Sequence, residues 1–524
     1  MKKIVKNTLA IALAGASLLG AVACKKSDNG DYGLVVTYYK GGYGSEWIEK
    51  AAGAYEAQNG VKVKLISSTK LNCDAATNLK SGRNLSDVYI CADSEWTNFV
   101  ANGYIAELSD VYDTEVSTQK GMVKIKDYIS GAAADKFYMQ RKAGTGDSLP
   151  WVMPWSAQPG AMAINTDFLK NLTHHAKNGG VSGVNDGEKW KNPPATFDEL
   201  LAFCKDVNEY ESTDGYEYVP IGWCGLAPET LYYAIYAWWA ELQGTESANY
   251  QGEGTFYDFW NFGNEGATGA QSFDTGVFLQ SGASGAIDKL KELIVADGKF
   301  VNSLSDATKL SPQELQQTFV SKNKNETSGK QKPAIVLASS YLEYETKLNG
   351  YLDSDKDGVQ DVNFTFMNVP KIGAESKSTV YCSYEDVMFV PVKAAHVSEA
   401  KKFLAFLCEE ERLKEFSSIT GGIRPFDYDP RGAEGLSEFT KSVYKVYFGS
   451  VKAYEYPVSA STPDHVSCIY RYERPTLFGN VPLATVLNDL KSKSGAEIMA
   501  AAKESVDNLS AENWRKKYKR FFGE

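Results

Sequence analysis

The chain has 524 residues, 43% of them hydrophobic and 12% aromatic, and a formal net charge of −11. That length and apolar content exclude a disordered chain and suffice for two or three domain-sized cores. The acidic balance excludes the basic footprint that nucleic-acid binding requires, and no run beyond the first two dozen residues approaches the about eighteen apolar residues of a membrane span.

Taken in chain order, Lys2, Lys3 and Lys6 precede a short apolar run and then small residues up to Ala23. This is the grammar of an export signal over 1–23. Cys24 follows at once, and the arrangement resembles the lipobox of bacterial lipoproteins, in which the thiol carries the lipid. Position −3 is Ala21 instead of the usual leucine, and Ala21-Val22-Ala23 also suits an ordinary signal peptidase. Residues 24–32 are polar and read as a flexible tether that leaves the protein outside the cytoplasm at a membrane surface.

Leu34 to Tyr38 is a short apolar strand that ends in a glycine loop, Gly41-Gly42-Tyr43-Gly44. Ser45 suits a helix N-cap, and Trp47, Ile48, Ala51, Ala52 and Tyr55 share one face of the helix after it. Asn59-Gly60 closes that helix and Val61 to Leu65 alternates as a strand, which completes a βαβ unit and implies a parallel sheet. Asp87 to Ile90 is a further strand. Thr196-Phe197-Asp198-Glu199 forms a capping box, followed by Leu200, Leu201, Cys204 and Val207 on one helical face. Val219 to Ile221 is a short strand, and Trp238-Trp239 falls in an apolar helical stretch that belongs to the core. Ser311-Pro312-Gln313-Glu314 is a second box with proline where a helix tolerates it best. Strands are expected at Ala334 to Leu337 and Asn363 to Met367. Ser398 opens a further helix with Phe403, Leu404 and Leu407 inward, and Gly421-Gly422 lies beyond its end. The glycine-rich stretches 178–188 and 263–285 read as loops. The fold class is α/β throughout.

Seven cysteines follow Cys24, at 73, 91, 204, 224, 382, 408 and 468, with no CxxC pair. Several sit in apolar runs and read as buried, inert thiols; sequence alone fixes no connectivity.

In order, these pieces resemble the extracellular solute-binding proteins of carbohydrate ABC importers. The segments that carry the likeness are "SDVYICADSEWTNFVANGYIAEL", "LPWVMPWSAQPGAMAINTDFL", "PPATFDELLAFCKDV", "KPAIVLASSYLEYE" and "VMFVPVKAAHVSEAKKFLAFLCEEERLKEF". The second and the last resemble the family's two crossovers between lobes. The resemblance implies a two-lobed, periplasmic-binding-protein-like fold with crossing hinge strands and ligand in the cleft between lobes. Lobe one would hold 33–152 and 385–417, and lobe two 153–384 and 418–524. It also implies hinge closure on a sugar, most suitably an oligosaccharide, and delivery by a monomer to membrane permease subunits.

Sugars present hydroxyls to carboxylates and amides, and C–H faces to aromatic rings. Trp155, at the first crossover, is the leading candidate for a cleft wall, with a packed hinge tryptophan as its alternative. Tyr43 stands in the glycine loop. Asp93 follows a strand at the carboxyl end where open α/β sheets bind ligands, or it caps the next helix. Tyr341 replaces the tryptophan common at the matching family position. Trp223 follows a strand in the same way. Glu385 and Arg424 are polar candidates near the crossings, or members of structural ion pairs.

Asp353, Asp355, Asp357, Val359 and Asp361 place oxygens at positions 1, 3, 5, 7 and 9 around Gly358, the arrangement of a calcium loop. Phe364 stands where the bidentate glutamate belongs, and the alternative is an acidic surface turn. Structural calcium is the only cofactor the sequence suggests. No GxSxG, HExxH or GxxxxGK motif is present, and of four histidines the adjacent His174-His175 lack helical ligand spacing. An enzyme is therefore not expected. A surface glycoside hydrolase stays open because glycosidase carboxylates leave no local motif, as does a glycan-capturing lipoprotein, although such proteins are chiefly helical.

Overall fold

The computed structural model describes residues 32–83, 85–92, 94, 96–129, 139–141, 148–245, 254–260, 275–304, 307–322, 330–383, 386–454, 477–479 and 481–507. The principal strands in chain order are β1 (Leu34–Tyr39), β2 (Val63–Ser68), β3 (Val88–Cys91), β4 (Met153–Pro154), β5 (Gln158–Asn165), β6 (Glu217–Gly222), β7 (Gln331–Ser339), β8 (Phe364–Met367), β9 (Thr379–Ser383), β10 (Val387–Phe389) and β11 (Val451–Tyr454). They form two sheets. The first runs β2-β1-β3-β10-β4, with β1 parallel to β2 and β3, and β10 antiparallel to β3 and β4. The second runs β6-β7-β5-β9-β11, and β8 also pairs with β5. β5 is its pivot: one half pairs with β9 through Tyr381↔Gly160, the other with β8 through Phe364↔Asn165. Each sheet with its helices builds one lobe of a two-lobed α/β molecule.

The helices form where the local signals place them, with three instructive differences. Helix α1 (Glu46–Asn59) buries Trp47, Ile48, Ala51, Ala52 and Tyr55, and Gly60 ends it in a left-handed conformation at φ 67°. Ser45 stands at its N-cap, but the hydroxyl accepts from Tyr38 OH at 2.8 Å and caps no backbone donor. Helix α2 (Phe197–Asn208) carries the complete Thr196/Glu199 box. Helix α3 (Tyr232–Gln243) buries Trp238 and Trp239, whose indole N–H groups donate to Pro370 O and Gln280 Oε1.

Helix α4 (Ser281–Ile294) takes its first turn from the glycine-rich stretch expected to be loop. The reason is packing: a Cβ on Gly282 would lie 2.7 Å from Gln243 Cβ, so glycine here permits close approach to α3. Residues 263–274 of that stretch, and Cys24, Asp93, Glu385 and Cys468, lie outside the described residues. Helix α5 (Pro312–Val320) has the Ser311/Glu314 box, and α6 (Leu342–Leu348) follows β7 directly. The helix expected from Ser398 starts at Val397 and stops at Phe406 as α7; α8 (Glu410–Thr420) then runs to Gly421. The start is fixed by His396, whose backbone N–H and Nδ1 contact the buried Asp87 carboxylate at 2.8 and 3.1 Å.

The six described cysteines, Cys73, Cys91, Cys204, Cys224, Cys382 and Cys408, are free and buried. Burial pushes the Cys382 and Cys408 thiols up to about 12, so neither supplies thiolate at neutral pH. Among the described residues no helix is long and apolar enough to cross a membrane.

Candidate functional site

The chain crosses between the sheets at 155–157, between Ser383 and Asp386, and a third time after Asp427, whose N–H still bonds Tyr128 O, and before the helix Glu438–Gly449, which packs on β8; residues 421–424 run beside the first crossing. These segments are laced together: Trp155 N–H donates to Asp386 O at 3.1 Å and Ala157 N–H to Ile423 O at 2.7 Å. The carboxyl ends of β1 and β7 meet beside this hinge, where an open α/β sheet presents its ligand site.

Tyr43 is the contact point. Its ring stands edge-on to Trp155 at 5.8 Å, to Tyr341 at 6.0 Å and to Phe416 at 5.2 Å. Its hydroxyl is 3.2 Å from both Ser156 Oγ and Ser340 Oγ, so one phenol bonds the hinge and the second lobe. Burial drives its pKa far above the ordinary tyrosine value. Gly42 brings the same loop against Tyr341: a Cβ there would sit 3.4 Å from Tyr341 Cγ, at φ 67°.

Trp155 is fully packed. It stacks on Trp47 with centroids 5.5 Å apart and 8° between planes, and its Nε1–H donates to Cys91 O at 2.8 Å. Arg424 is equally buried: it donates to Leu407 O and Pro154 O, and its cation lies over the Phe426 ring. Both side chains support the hinge from inside in this conformation. Trp223, also buried, packs edge-on to Phe300 at 5.3 Å, and no ring contact among the described residues joins it to the Tyr43 cluster. The structure thus brings Tyr43, Trp155 and Tyr341 into one cluster, sets Arg424 beneath the hinge and holds Trp223 apart.

Around Tyr341 lie polar groups that sequence reasoning missed. Tyr39, Gln158, Tyr233, Glu345 and Ser383 are all partly exposed. Tyr233 hydrogen-bonds Tyr341, stacks on Tyr381 at 5.6 Å, and covers Gly160 so closely that a Cβ there would fall 2.5 Å from its ring. Gln158 Nε2 donates to the buried Asp386 carboxylate. Glu345 accepts from Gln316 Nε2 at 2.6 Å, and burial raises its pKa. Burial first, then the Glu345 and Asp386 charges, push the Tyr39 hydroxyl up to about 12. A positional signal could have found three of them, since Tyr39 ends β1, Gln158 opens β5 and Ser383 ends β9, whereas Tyr233 and Glu345 lie within helices. The cluster combines phenol rings, neutral phenol donors, an amide and carboxylates, the donor set that sugar hydroxyls and C–H faces require.

The Asp353–Asp361 loop lies between α6 and β8. Carboxylate oxygens of Asp353, Asp355 and Asp361 fall within 4.8 Å of one another. Asp357 accepts from Val359 N at 2.8 Å, and the Val359 side chain is exposed.

The family described as bacterial extracellular solute-binding protein matches residues 50–429, nearly three quarters of the chain. No curated protein matches. Among solved structures, RafE from Streptococcus pneumoniae in its apo form shares 13% identity over 92% of this chain and 99% of its own, at a TM-score of 0.55. A sugar transporter protein from Bacillus licheniformis, in complex with stachyose, shares 14% identity over 91% and 100% at 0.51. The GacH receptor of Streptomyces glaucescens, solved unliganded and with acarbose, shares 13% over 91% and 98% at 0.53. At such identities the likeness establishes the fold.

Proposed function

Because this chain belongs to the bacterial extracellular solute-binding proteins, we propose that it is the oligosaccharide receptor of an ABC importer, held to the membrane by a lipid on Cys24 and acting as a monomer. The observation that carries this reading is the Tyr39, Gln158, Tyr233, Tyr341 and Glu345 cluster at the junction of the two sheets. Rings on that scale suit a pyranose face, and the flanking amide and carboxylates suit its hydroxyls. The structural relatives that hold stachyose and acarbose support an oligosaccharide over an amino acid or an ion.

Delivery follows from the hinge. The lobes are joined at the three crossings and also touch through Tyr43 with Ser340 and Tyr341, through Tyr344 with Glu46 and through Tyr444 with Ser417, contacts that lie outside both sheets. Ligand binding between the lobes favours the closed arrangement by its differential affinity for it. The closed form is what a permease would recognise, and residues 24–32 would give the tethered receptor reach. Asp93 and Glu385 remain candidates for further sugar contacts, whereas Trp223 is wholly buried and apart from this cluster. Catalysis is not part of this proposal: the carboxylates of the cluster are already engaged, Asp386 by Gln158 and Glu345 by Gln316.

The test is a thermal-shift screen of the mature chain against mono- and oligosaccharides, with product analysis of each mixture. A ligand at 1,000 times its Kd adds roughly 4 kcal/mol. We expect a rise in Tm with an oligosaccharide recovered intact. Cleavage of the sugar would replace the receptor with a hydrolase, and a response only to amino acids or peptides would overturn the substrate class.

A further inference from the structure

We infer that the loop 353–361 is a calcium site. Three carboxylates converge there with Asp357 beside them, and their arrangement is turned inward. Asp353 accepts from the backbone N–H groups of Asp357 and Gly358, each at 3.0 Å, and Asp355 from Asp357 N at 3.3 Å. Oxygens of Asp353, Asp355 and Asp361 lie within 4.8 Å of one another. These turns alone would describe an acidic surface loop.

The separate observation is Asp361. Its side chain is wholly buried, although its neighbours in the loop are about half exposed. Its Oδ2 is satisfied by Lys322 N–H at 2.7 Å and by the Ser354 hydroxyl. Its Oδ1 is buried and, among the described residues, accepts no hydrogen bond. That oxygen faces the same point as Asp355 Oδ2 and Asp357 Oδ2, which the Lys322 ammonium approaches at 3.5, 3.7 and 4.0 Å respectively. A buried carboxylate oxygen whose described partner is an ammonium 3.5 Å away is poorly compensated. A single ammonium at the edge of contact with three carboxylates compensates their charge only in part.

A hard divalent cation satisfies this set better. Calcium takes six to eight oxygens at about 2.3–2.6 Å in flexible geometry. Asp353, Asp355, Asp357 and Asp361, with the Val359 carbonyl and water, meet that need without the glutamate that Phe364 displaces. The loop holds no histidine or cysteine for a softer metal. Magnesium demands a tighter octahedron and dehydrates reluctantly. Lys322 is then the competing cation, displaced when the metal enters. The bound ion would fix the end of α5 to the segment joining α6, which carries the Tyr341 cluster, to β8.

The experiment uses the full mature chain stripped of metal with a chelator, melted in rising calcium chloride or magnesium chloride at constant ionic strength. Extracellular calcium modules bind at about 0.1–1 mM, so Tm should rise saturably over about 0.1–10 mM calcium and far less with magnesium. Asp355→Asn with Asp357→Asn, both exposed positions that should leave the fold intact, should weaken calcium at least about tenfold. Lys322→Gln retains every carboxylate and should tighten calcium, which keeps the inference falsifiable if the double variant fails to fold. No calcium shift in the native chain, an equal shift with magnesium, an unchanged response in the double variant, or a Lys322→Gln chain that binds calcium no tighter would each overturn the inference.

Discussion

Arg424 is a cation taken entirely out of water whose partners are backbone carbonyls. Leu407 O, at the carbonyl end of α7, and Pro154 O accept from it, and the Phe426 ring lies beneath. The negative end of a helix dipole favours such a charge. Burial lowers the guanidinium pKa from its ordinary value, yet it remains charged. Truncation would strand both carbonyls at the hinge. Arg424→Ala should lose about 3 kcal/mol of stability, read as a lower urea midpoint, and an unchanged midpoint would refute its strap role. Sequence singled out this residue as a polar candidate, but Gly-Gly-Ile-Arg-Pro contains nothing that tells burial from exposure. Tyr39 was missed for a related reason: the apolar run ends at Tyr38, and only the structure extends the strand to a partly exposed Tyr39. Its phenol is one of several lifted by burial, with Tyr39, Tyr233 and Tyr344 each pushed up to about 12. The sign follows from linkage: the folded state holds these protons more tightly than the unfolded chain, which releases them near 10. That stabilisation is complete below pH 10 and drains away as pH rises toward 12. Tm should fall steeply across that window, in step with tyrosinate absorbance; tyrosines that all titrate near 10 with Tm unaffected would contradict the burial.

At the scale of elements, Asp206 on α2 organises the loop 173–190. Its carboxylate faces His174 Nδ1 at 2.9 Å and accepts from Trp190 Nε1 at 2.9 Å, Asn178 Nδ2 at 2.8 Å and His175 N at 3.1 Å. One buried carboxylate therefore satisfies donors from three parts of a loop with little regular structure. Asp206→Ala should cost about 3–5 kcal/mol, and limited proteolysis should then cut between 173 and 190; resistance equal to the native chain would count against this account. The adjacent histidines looked idle in sequence because their partner lies thirty residues on. Elements with local signals were legible: both capping boxes, the βαβ opening and the Gly60 terminator form as read. Two departures came from tertiary packing. Ser281 to Gly285 looks like a loop because glycine and serine dominate it, yet Gly282 is there to let α4 meet Gln243. The helix around 403 starts at Val397, one residue early, because Asp87, three hundred residues distant, captures His396.

For the whole molecule, two sheets share three crossings, and the ends of β1 and β7 meet through Tyr43, Ser340 and Tyr341. The crossover segments and their order made the two-lobed fold readable in the sequence. The ring cluster was only half readable: Tyr43 and Tyr341 stand at strand ends that sequence marks, whereas Gln158, Tyr233 and Glu345 come together only when β5, α3 and α6 pack. The central claim is that an oligosaccharide lies against this cluster between the lobes. Calorimetric titration tests it most directly, using the best oligosaccharide from the screen with native, Tyr341→Ala and Gln158→Ala chains of matched Tm. We predict one site per chain in the native protein, weakened at least about tenfold by either substitution, the loss of roughly 1.4 kcal/mol or more. Equal affinities in all three chains would place the sugar elsewhere and contradict the account.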